Sequence, residues 1–500
     1  MVDANAQNSR RLSKQALAGL PVSVTRPNYR LDHTRIGIVH IGAGAFHRAH
    51  QAVYIDDLLA THPDWAICGV SLHSTDVRDA LRPQDGLYTV LLLGEQTQLR
   101  VIGSMRELLS ARDESAAILA RLADPAVRLV TLTVTEKGYC LAGQDLDVAH
   151  PDIVHDLALP DTPRSAIGYI VAGLRQRHML GLAPYTVLSC DNLADNGHRL
   201  RRAVLQYAQR VDETLAAWID AQVSFPCSMV DSITPATDDA LRECISSELG
   251  CKDAWPIQRE TYTQWVIEDR FCNERPPFEL AGVTMSHDIA GYDRAKLRLL
   301  NGAHSTLAYL GSLMNLETVA EAMREPLLAV FVERLMRRAI APVIALPEGL
   351  QASAYIDAIL VRFRNPAIRH RLAQIAWDGS QKLPVRLLST IADALSANQP
   401  VDSLCLSIAA WMQFVRRQAH HGVALVDPLH EVLAGVGRAC TGDAANDVDA
   451  FLQLDTVFIA PLSRDARFIH ALQIAYAALA DGSPAAISHA LTTAMYGDLR

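Results

Sequence analysis

Arg35-Ile-Gly-Ile-Val-His-Ile41 runs directly into Gly42-Ala-Gly44-Ala-Phe-His-Arg-Ala-His50. The first seven residues read as a strand buried in a parallel sheet, because they are apolar almost throughout. The next nine open on Gly-x-Gly and lead into a helix-like stretch from 51 to 60. Strand, Gly-x-Gly turn and helix is the layout that binds a dinucleotide. The glycines permit a tight turn and let the backbone approach a pyrophosphate, and the helix N-terminus offers free N–H groups. The third glycine of the usual fingerprint is replaced by His47. An ordinary β-turn-α unit has the same outline. A second strand, Trp65-Ala-Ile-Cys-Gly-Val-Ser-Leu72, follows at the spacing a nucleotide site requires. Asp76, just past its end, either accepts hydrogen bonds from an adenosine ribose or caps a helix over 76–81.

Outward from this unit the chain alternates strands and helices as far as about residue 193. Strands are expected at 88–93, 127–134 and 185–190, with helices at 115–122 and 165–177. Such alternation predicts a doubly wound parallel sheet, whose ligands bind outside the carboxyl ends of the strands. Two polar clusters lie at such ends: Thr135-Glu136-Lys137-Gly138-Tyr139 and Asp191-Asn192. From about residue 293 strand signals give way to amphipathic helices at 299–314, 327–341, 368–376, 385–397 and 404–416, punctuated by prolines. The expected organisation is an arm over 1–33, a Rossmann-like nucleotide domain over 34–292 and a mainly helical domain over 293–500.

At the junction stands Lys296-Leu-Arg-Leu-Leu-Asn301-Gly-Ala-His304. At about 100° per helical residue, Asn301 and His304 share a face, with Lys296 about 80° round and two turns earlier. A lysine in a Leu-rich segment is readily desolvated, which lowers its pKa toward that of a useful base. A surface helix with a snorkelling lysine fits this segment equally well on its own.

Composition narrows the classes. Five hundred residues, half of them hydrophobic and a fifth charged, describe a globular enzyme of two domains. The net charge of −9 and the lack of basic runs argue against a nucleic-acid partner. No apolar run approaches the ~18 residues that span a bilayer, and the polar start lacks a signal-peptide core. Nine scattered cysteines without a Cys-x-x-Cys motif predict reduced thiols and a cytoplasmic location. No Cys/His set has zinc spacing, so metal-free catalysis is expected. No interface stripe is readable, which fits a monomer or a weak homo-oligomer.

With those residues in hand, the chain resembles the mannitol dehydrogenase family of long-chain, polyol-specific dehydrogenases. The resemblance runs from Arg35 to beyond Asp427. It rests on Ile41-Gly-Ala-Gly-Ala-Phe-His-Arg-Ala-His-Gln51, Thr133-Val-Thr-Glu-Lys-Gly-Tyr-Cys140, Ser189-Cys-Asp-Asn192 with Asn196-Gly197, Phe225-Pro-Cys-Ser-Met-Val-Asp231, and 296–304. It implies an NAD-dependent oxidoreductase acting on a small sugar acid or polyol. Lys296 is then the general base, Asn192 and Asn301 hold the substrate oxygen, and His304 orients the polyol. The resemblance places NAD at Ile41, Gly42, Gly44, Ala45, Phe46, Asp76 and Glu136, with Asp76 favouring NAD over NADP.

Two branches compete: fructuronate reductases, acting on a sugar acid, and dehydrogenases of neutral mannitol or arabinitol. Glu136-Lys137-Gly138 and the segment from Asn365 to Lys382 are similar to the sugar-acid branch. Lys137, Arg371 and Lys382 offer cations for a carboxylate, or are simply solvated charges. Asp231 is a candidate for a substrate hydroxyl. The arginine that usually follows this aspartate is Ser232 here. A silent NAD-binding regulator is the alternative of another class, and a full set of Lys296, Asn192, Asn301 and His304 speaks against it.

Overall fold

The computed structural model describes residues 11–496. The chain divides into two compact units, one ending at Ala290 and one beginning at Gly291. The expected break at 292/293 lies two residues away.

The first unit is built on five strands: β1 (Ile36–Ile41), β2 (Ala66–Ser71), β3 (Met105–Ser110), β4 (Leu129–Leu132) and β5 (Thr186–Ser189). They lie in the order β5-β4-β1-β2-β3, and every neighbouring pair is parallel. That is the 3-2-1-4-5 portion of the dinucleotide-binding strand order, in which the chain leaves β1 toward one edge and returns to β4 on the other side. The crevice therefore opens at the carboxyl ends of β1 and β4.

Side chains alternate across the sheet because a strand has a period of two. Val39, Ile41, Cys68, Val70, Val130, Leu132 and Val187 pack on one side with residues of helices Ala111–Ala123 and Ala166–Met179. Ile38, Ile67, Leu129 and Leu188 pack on the other with helix Gln51–Leu58. Each fully buried Val, Leu or Ile stabilises the sheet by roughly 1.5–3 kcal/mol, and both faces are covered. This is the doubly wound arrangement the alternating pattern predicts.

Two expectations need correction. Residues 88–93 do form a strand, Tyr88–Leu93, but outside the parallel sheet. It pairs antiparallel with Gln98–Ile102 in a separate four-stranded sheet that also takes in Val24–Thr25 and Ile257–Glu260. The intervening residues, 94–97, are too few for the crossover that a parallel pairing needs. The arm is also structured where it is described: Leu12, Leu20, Val24 and Leu31 are buried in one cluster with Leu99, Val101 and Leu249. Residues 1–10 of that arm lie outside the described residues. A further sheet, Ser228–Asp231 with Gln264–Glu268 and Thr284–Ser286, and a two-stranded one, Leu141–Ala142 with Asp145–Leu146, also belong to the unit.

The second unit is helical. Among its described residues the only bridge of strand type joins Thr318 and Arg371. Helices Gly302–Leu313, Asp402–His420 and Ala466–Leu479 provide its packed centre. The helix expected over 368–376 is confined to Leu372–Ile375. The larger departure is in helix type. Lys296–Asn301, Leu335–Ile340 and Pro384–Leu388 are π-helical, with hydrogen bonds spanning five residues rather than four. The first of these segments contacts the other two. Among the described residues, no helix is long and apolar enough to cross a membrane.

At the head of the crevice Gly42 has φ +97°, and a Cβ there would lie 2.1 Å from the Thr133 carbonyl oxygen. At Gly44 a Cβ would meet nothing nearer than the Gly42 oxygen at 3.8 Å. Gly42→Ala is therefore expected to destabilise the protein by about 1–3 kcal/mol through positive-φ strain and a backbone clash. Gly44→Ala should cost well under 1 kcal/mol. Urea unfolding of the two variants checks this, and equal midpoints would disprove the asymmetry.

Candidate active site

In the first unit the crevice is organised by one carboxylate. Asp191, two residues past β5, accepts the N–H groups of Val134 at 3.1 Å and Thr135 at 2.8 Å. It also accepts the Tyr139 hydroxyl at 2.7 Å. These groups lie beyond the end of β4, so Asp191 ties the ends of two adjacent strands together. Burial pushes its pKa up, and the bonds from Tyr139, Val134 and Thr135 oppose that rise. Asn196 adds a second tie: its amide donates to the Asp191 and Ser228 carbonyls and accepts the Ser228 N–H.

The loop held this way is strained. Thr135 has φ 62° and ψ 168°, and Cys140 has φ 51°. Positive φ at a β-branched residue is a true outlier, and such strain gathers at functional sites. Glu136 and Lys137 sit exposed between these two residues, and Asn192 is exposed directly after Asp191. Asp231 is the buried last residue of strand Ser228–Asp231. Ser232 next to it donates its hydroxyl to the Tyr262 carbonyl.

The Gly-x-Gly loop rests on two stacked imidazoles. His40 and His47 lie 3.4 Å apart and 12° from parallel. His40 Nδ1 meets Thr131 Oγ1 at 2.7 Å, and its Nε2 meets Thr133 Oγ1 at 2.9 Å and the Gly42 oxygen at 3.1 Å. So the residue in place of the third glycine packs against the sheet through a ring. Ala45 begins a short helix, and Phe46 within it stacks on His50 at 5.0 Å. Its first amides lack intrahelical acceptors, and the space above Gly44 is open. This cradle fits the pyrophosphate of a dinucleotide.

Asp76 is exposed and is the first residue of helix Asp76–Leu81, with Thr75 as N-cap. Its own N–H is bonded to Ser74 Oγ at 2.9 Å. Asp76 is therefore not the helix cap.

In the second unit Lys296 and His304 are both 7 % exposed, and Asn301 is half-buried. The wide π-turn runs from Lys296 to Asn301, so the 100° rule that relates Lys296 to His304 does not hold across it. A Cβ on Gly302 would lie 3.2 Å from the Arg386 carbonyl oxygen. The glycine thus lets the π segment Pro384–Leu388 approach, and Arg386 Nη1 reaches Ser305 Oγ at 3.1 Å. The His304 ring lies 4.4 Å from Phe363 and 5.1 Å from His370, edge-on to the latter. Burial holds His304 well below the usual imidazole range, and His370, Arg362 and Arg386 lower it further. His370 is lowered by burial, then by Arg362 and Lys382, and its Nδ1 is buried without a hydrogen-bond partner.

The sequence reading missed Arg362, His370 and Arg386. Arg362 and His370 sit on separate segments from His304, and nothing in their local sequence marks them.

The other two cations proposed from sequence occupy different surroundings. Arg371 is exposed and lines a cavity of about 860 Å³ with Trp377, Arg417 and His421, a lining that includes neither Lys296 nor His304. The Lys382 ammonium is half-buried and donates to the Trp377 carbonyl at 2.5 Å and the Ile375 carbonyl at 3.4 Å. Its pKa is lowered by burial and then by Arg386.

Comparison with known proteins bears on both units. Residues 36–280 match the mannitol dehydrogenase Rossmann domain, and residues 288–480 match the mannitol dehydrogenase C-terminal domain. The chain is 44 % identical to D-mannonate oxidoreductase of Escherichia coli over 93 % of this chain and 97 % of that enzyme. It is 38 % identical to mannitol 2-dehydrogenase of Phaeosphaeria nodorum, over 93 % and 83 %. Among solved structures, the ternary complex of Pseudomonas fluorescens mannitol 2-dehydrogenase with NAD and D-mannitol is 38 % identical. It superposes with a TM-score of 0.76, covering 98 % of this chain and 99 % of that one.

The buried histidines set a pH dependence. The pKa of His40 is pushed down to about 3, and those of His47 and His304 well below the usual value, each chiefly by burial. In the unfolded chain they titrate near 6.5. Below that pH the unfolded state binds protons that the native state refuses, so stability falls as pH falls. The expected loss is up to roughly 1.4 kcal/mol per pH unit for each proton of difference. Urea midpoints between pH 7.5 and 5 check this, and a midpoint that rises on acidification contradicts it.

Proposed function

The chain belongs to the mannitol dehydrogenase family, and on that premise we propose that it interconverts a keto-sugar acid and the matching polyol acid. It is an NAD-dependent dehydrogenase acting on a CH–OH group. The specific reaction we infer is D-fructuronate with NADH and a proton giving D-mannonate and NAD. One observation carries the sugar acid over a neutral polyol. The groups that act on His304 through charge are Arg362, Arg386 and His370, with Lys382 acting on His370. A buried histidine under the influence of two arginines, Arg362 and Arg386, is an environment that a substrate carboxylate would stabilise through charge-assisted hydrogen bonds. The 44 % identity to D-mannonate oxidoreductase supports the same reading.

When bound, NADH supplies hydride to the carbonyl carbon. Lys296, as an ammonium, gives its proton to the carbonyl oxygen; in the reverse direction the neutral amine takes it back. Asn301 and Asn192 are assigned the N–H donors for the developing alkoxide. His304, neutral at physiological pH, both donates to and accepts from substrate hydroxyls. Ile41, Gly42, Gly44, Ala45, Phe46 and Glu136 are assigned to the NAD site, with the Gly-x-Gly turn at the pyrophosphate and Asp76 at the adenosine ribose. Asp231 is assigned a substrate hydroxyl. Lys137, Arg371 and Lys382 remain candidates for the carboxylate.

The neutral-polyol reading has its own support. The Lys382 ammonium already bonds two backbone carbonyls, and mannitol 2-dehydrogenases are 38 % identical.

Lys296→Ala should lower kcat by about 10²–10⁴ while leaving the NADH Kd within about threefold, since the base acts in the chemical step. Retention of more than about a tenth of wild-type kcat at neutral pH would remove Lys296 from that role.

NADH oxidation with fructuronate, tagaturonate and fructose, assayed side by side, tests the substrate class. The wild type should prefer a keto-uronate, and added salt should raise its KM selectively. Lys382→Ala should depress kcat/KM for the uronate at least about tenfold more than for fructose, as loss of a charge-assisted bond implies. A wild-type preference for fructose would establish the polyol reading instead. Equal damage to both substrates would make Lys382 structural.

A further inference from the structure

We propose that Asp195, His198 and Cys227 form a binding site for one Zn²⁺-class transition-metal ion, apart from the residues assigned to the reaction. They are the one group of this kind among the described residues: a carboxylate oxygen, an imidazole nitrogen and a thiol sulfur that all lie within 4.8 Å of one another. Asp195 is the N-cap of helix Asn196–Val211, and its left-handed backbone (φ 58°) leaves its side chain beside that of His198, three residues on. Asp195 Oδ1 and His198 Nδ1 are 2.5 Å apart. Cys227 Sγ reaches them from another segment, at 3.8 Å from each.

The donor chemistry matches a borderline cation. Thiolate, imidazole and carboxylate bind Zn²⁺ or Co²⁺ at about 2.3, 2.0–2.1 and 2.0–2.2 Å. A tetrahedron with those bond lengths has sulfur–nitrogen and sulfur–oxygen edges of about 3.5 Å and a nitrogen–oxygen edge of about 3.3 Å. The two sulfur distances are already close to that. The Asp195–His198 contact must open by several tenths of an ångström, as the proton they share is replaced by the metal. Both of those side chains are more than half exposed and free to turn, while Cys227 is buried and fixed. Binding displaces the Cys227 thiol proton to solvent and leaves the fourth position to water.

The placement gives the ion a structural consequence. Cys227 immediately precedes strand Ser228–Asp231, and Asp195 ends the loop that begins at Asp191-Asn192. Asn196 already joins these segments by hydrogen bonds, and a metal would add a second, stronger clamp across the same gap.

The test is a titration of the full-length protein with Co²⁺, reading the thiolate-to-cobalt charge-transfer band, followed by displacement with Zn²⁺. One equivalent should produce the band, and Zn²⁺ should abolish it and raise the Tm. Cys227→Ser should remove the band. His198→Gln changes an exposed side chain, so folding is preserved, and it should weaken Co²⁺ at least about tenfold, as loss of one of three ligands implies. No band in the wild type, or a band of unchanged affinity in His198→Gln, would overturn the proposal. The former would leave Asp195 and His198 as a surface ion pair with a thiol nearby.

Discussion

The crevice of the first unit depends on the Asp191 carboxylate. A parallel sheet fixes its strands, but the loops beyond the carboxyl ends have no ladder to hold them. Here one buried acid takes two N–H groups and a hydroxyl from the far side of the β4 loop. Each bond to a charged acceptor contributes roughly 1.5–3 kcal/mol, enough to offset the strain of a threonine at φ 62°. The same residue is the immediate neighbour of Asn192. The rigidity that positions the candidate oxygen-binding amide and the strain that shapes the Glu136-Lys137 loop thus share one source.

In the second unit the equivalent constraint is a set of π-turns. An α-helix would carry Lys296, Asn301 and His304 through successive 100° steps. The π segment widens the turn, and such bulges are common where a helix must aim functional groups. Gly302 is what makes the close approach of the 384–388 segment tolerable, and that approach brings Arg386 to Ser305 beside His304. The outcome is a buried histidine held well below the usual imidazole range, with Arg362 and Arg386 among the groups that act on it.

The two units differ in how they manage buried histidine. His40 is satisfied by Thr131, Thr133 and Gly42 and serves as a brace under the nucleotide loop. His304 sits against Phe363 and His370 and has charges rather than hydroxyls for company. The first arrangement gives rigidity through hydrogen bonds; the second is packed through ring contacts.

The sequence by itself determined the doubly wound sheet, the helical second unit and the segments bearing the candidate residues. Apolar runs, Gly-x-Gly spacing and the switch from a period of 2 to a period of 3.6 are local signals, and they survive without knowledge of the partner strands. Lys296, Asn301 and His304 stand out as candidates because they crowd into nine residues. Tertiary structure decided what depends on long-range pairing. Tyr88–Leu93 left the parallel sheet because its nearest partner is a hairpin neighbour. Leu12, Leu20, Val24 and Leu31 became core because Leu99 and Leu249 are there to bury them. Arg362, His370 and Arg386 joined His304, and Cys227 joined Asp195 and His198, across separations that no local pattern encodes. Even helix type escaped the sequence, since a π-turn costs nothing in composition and is set by what packs against it.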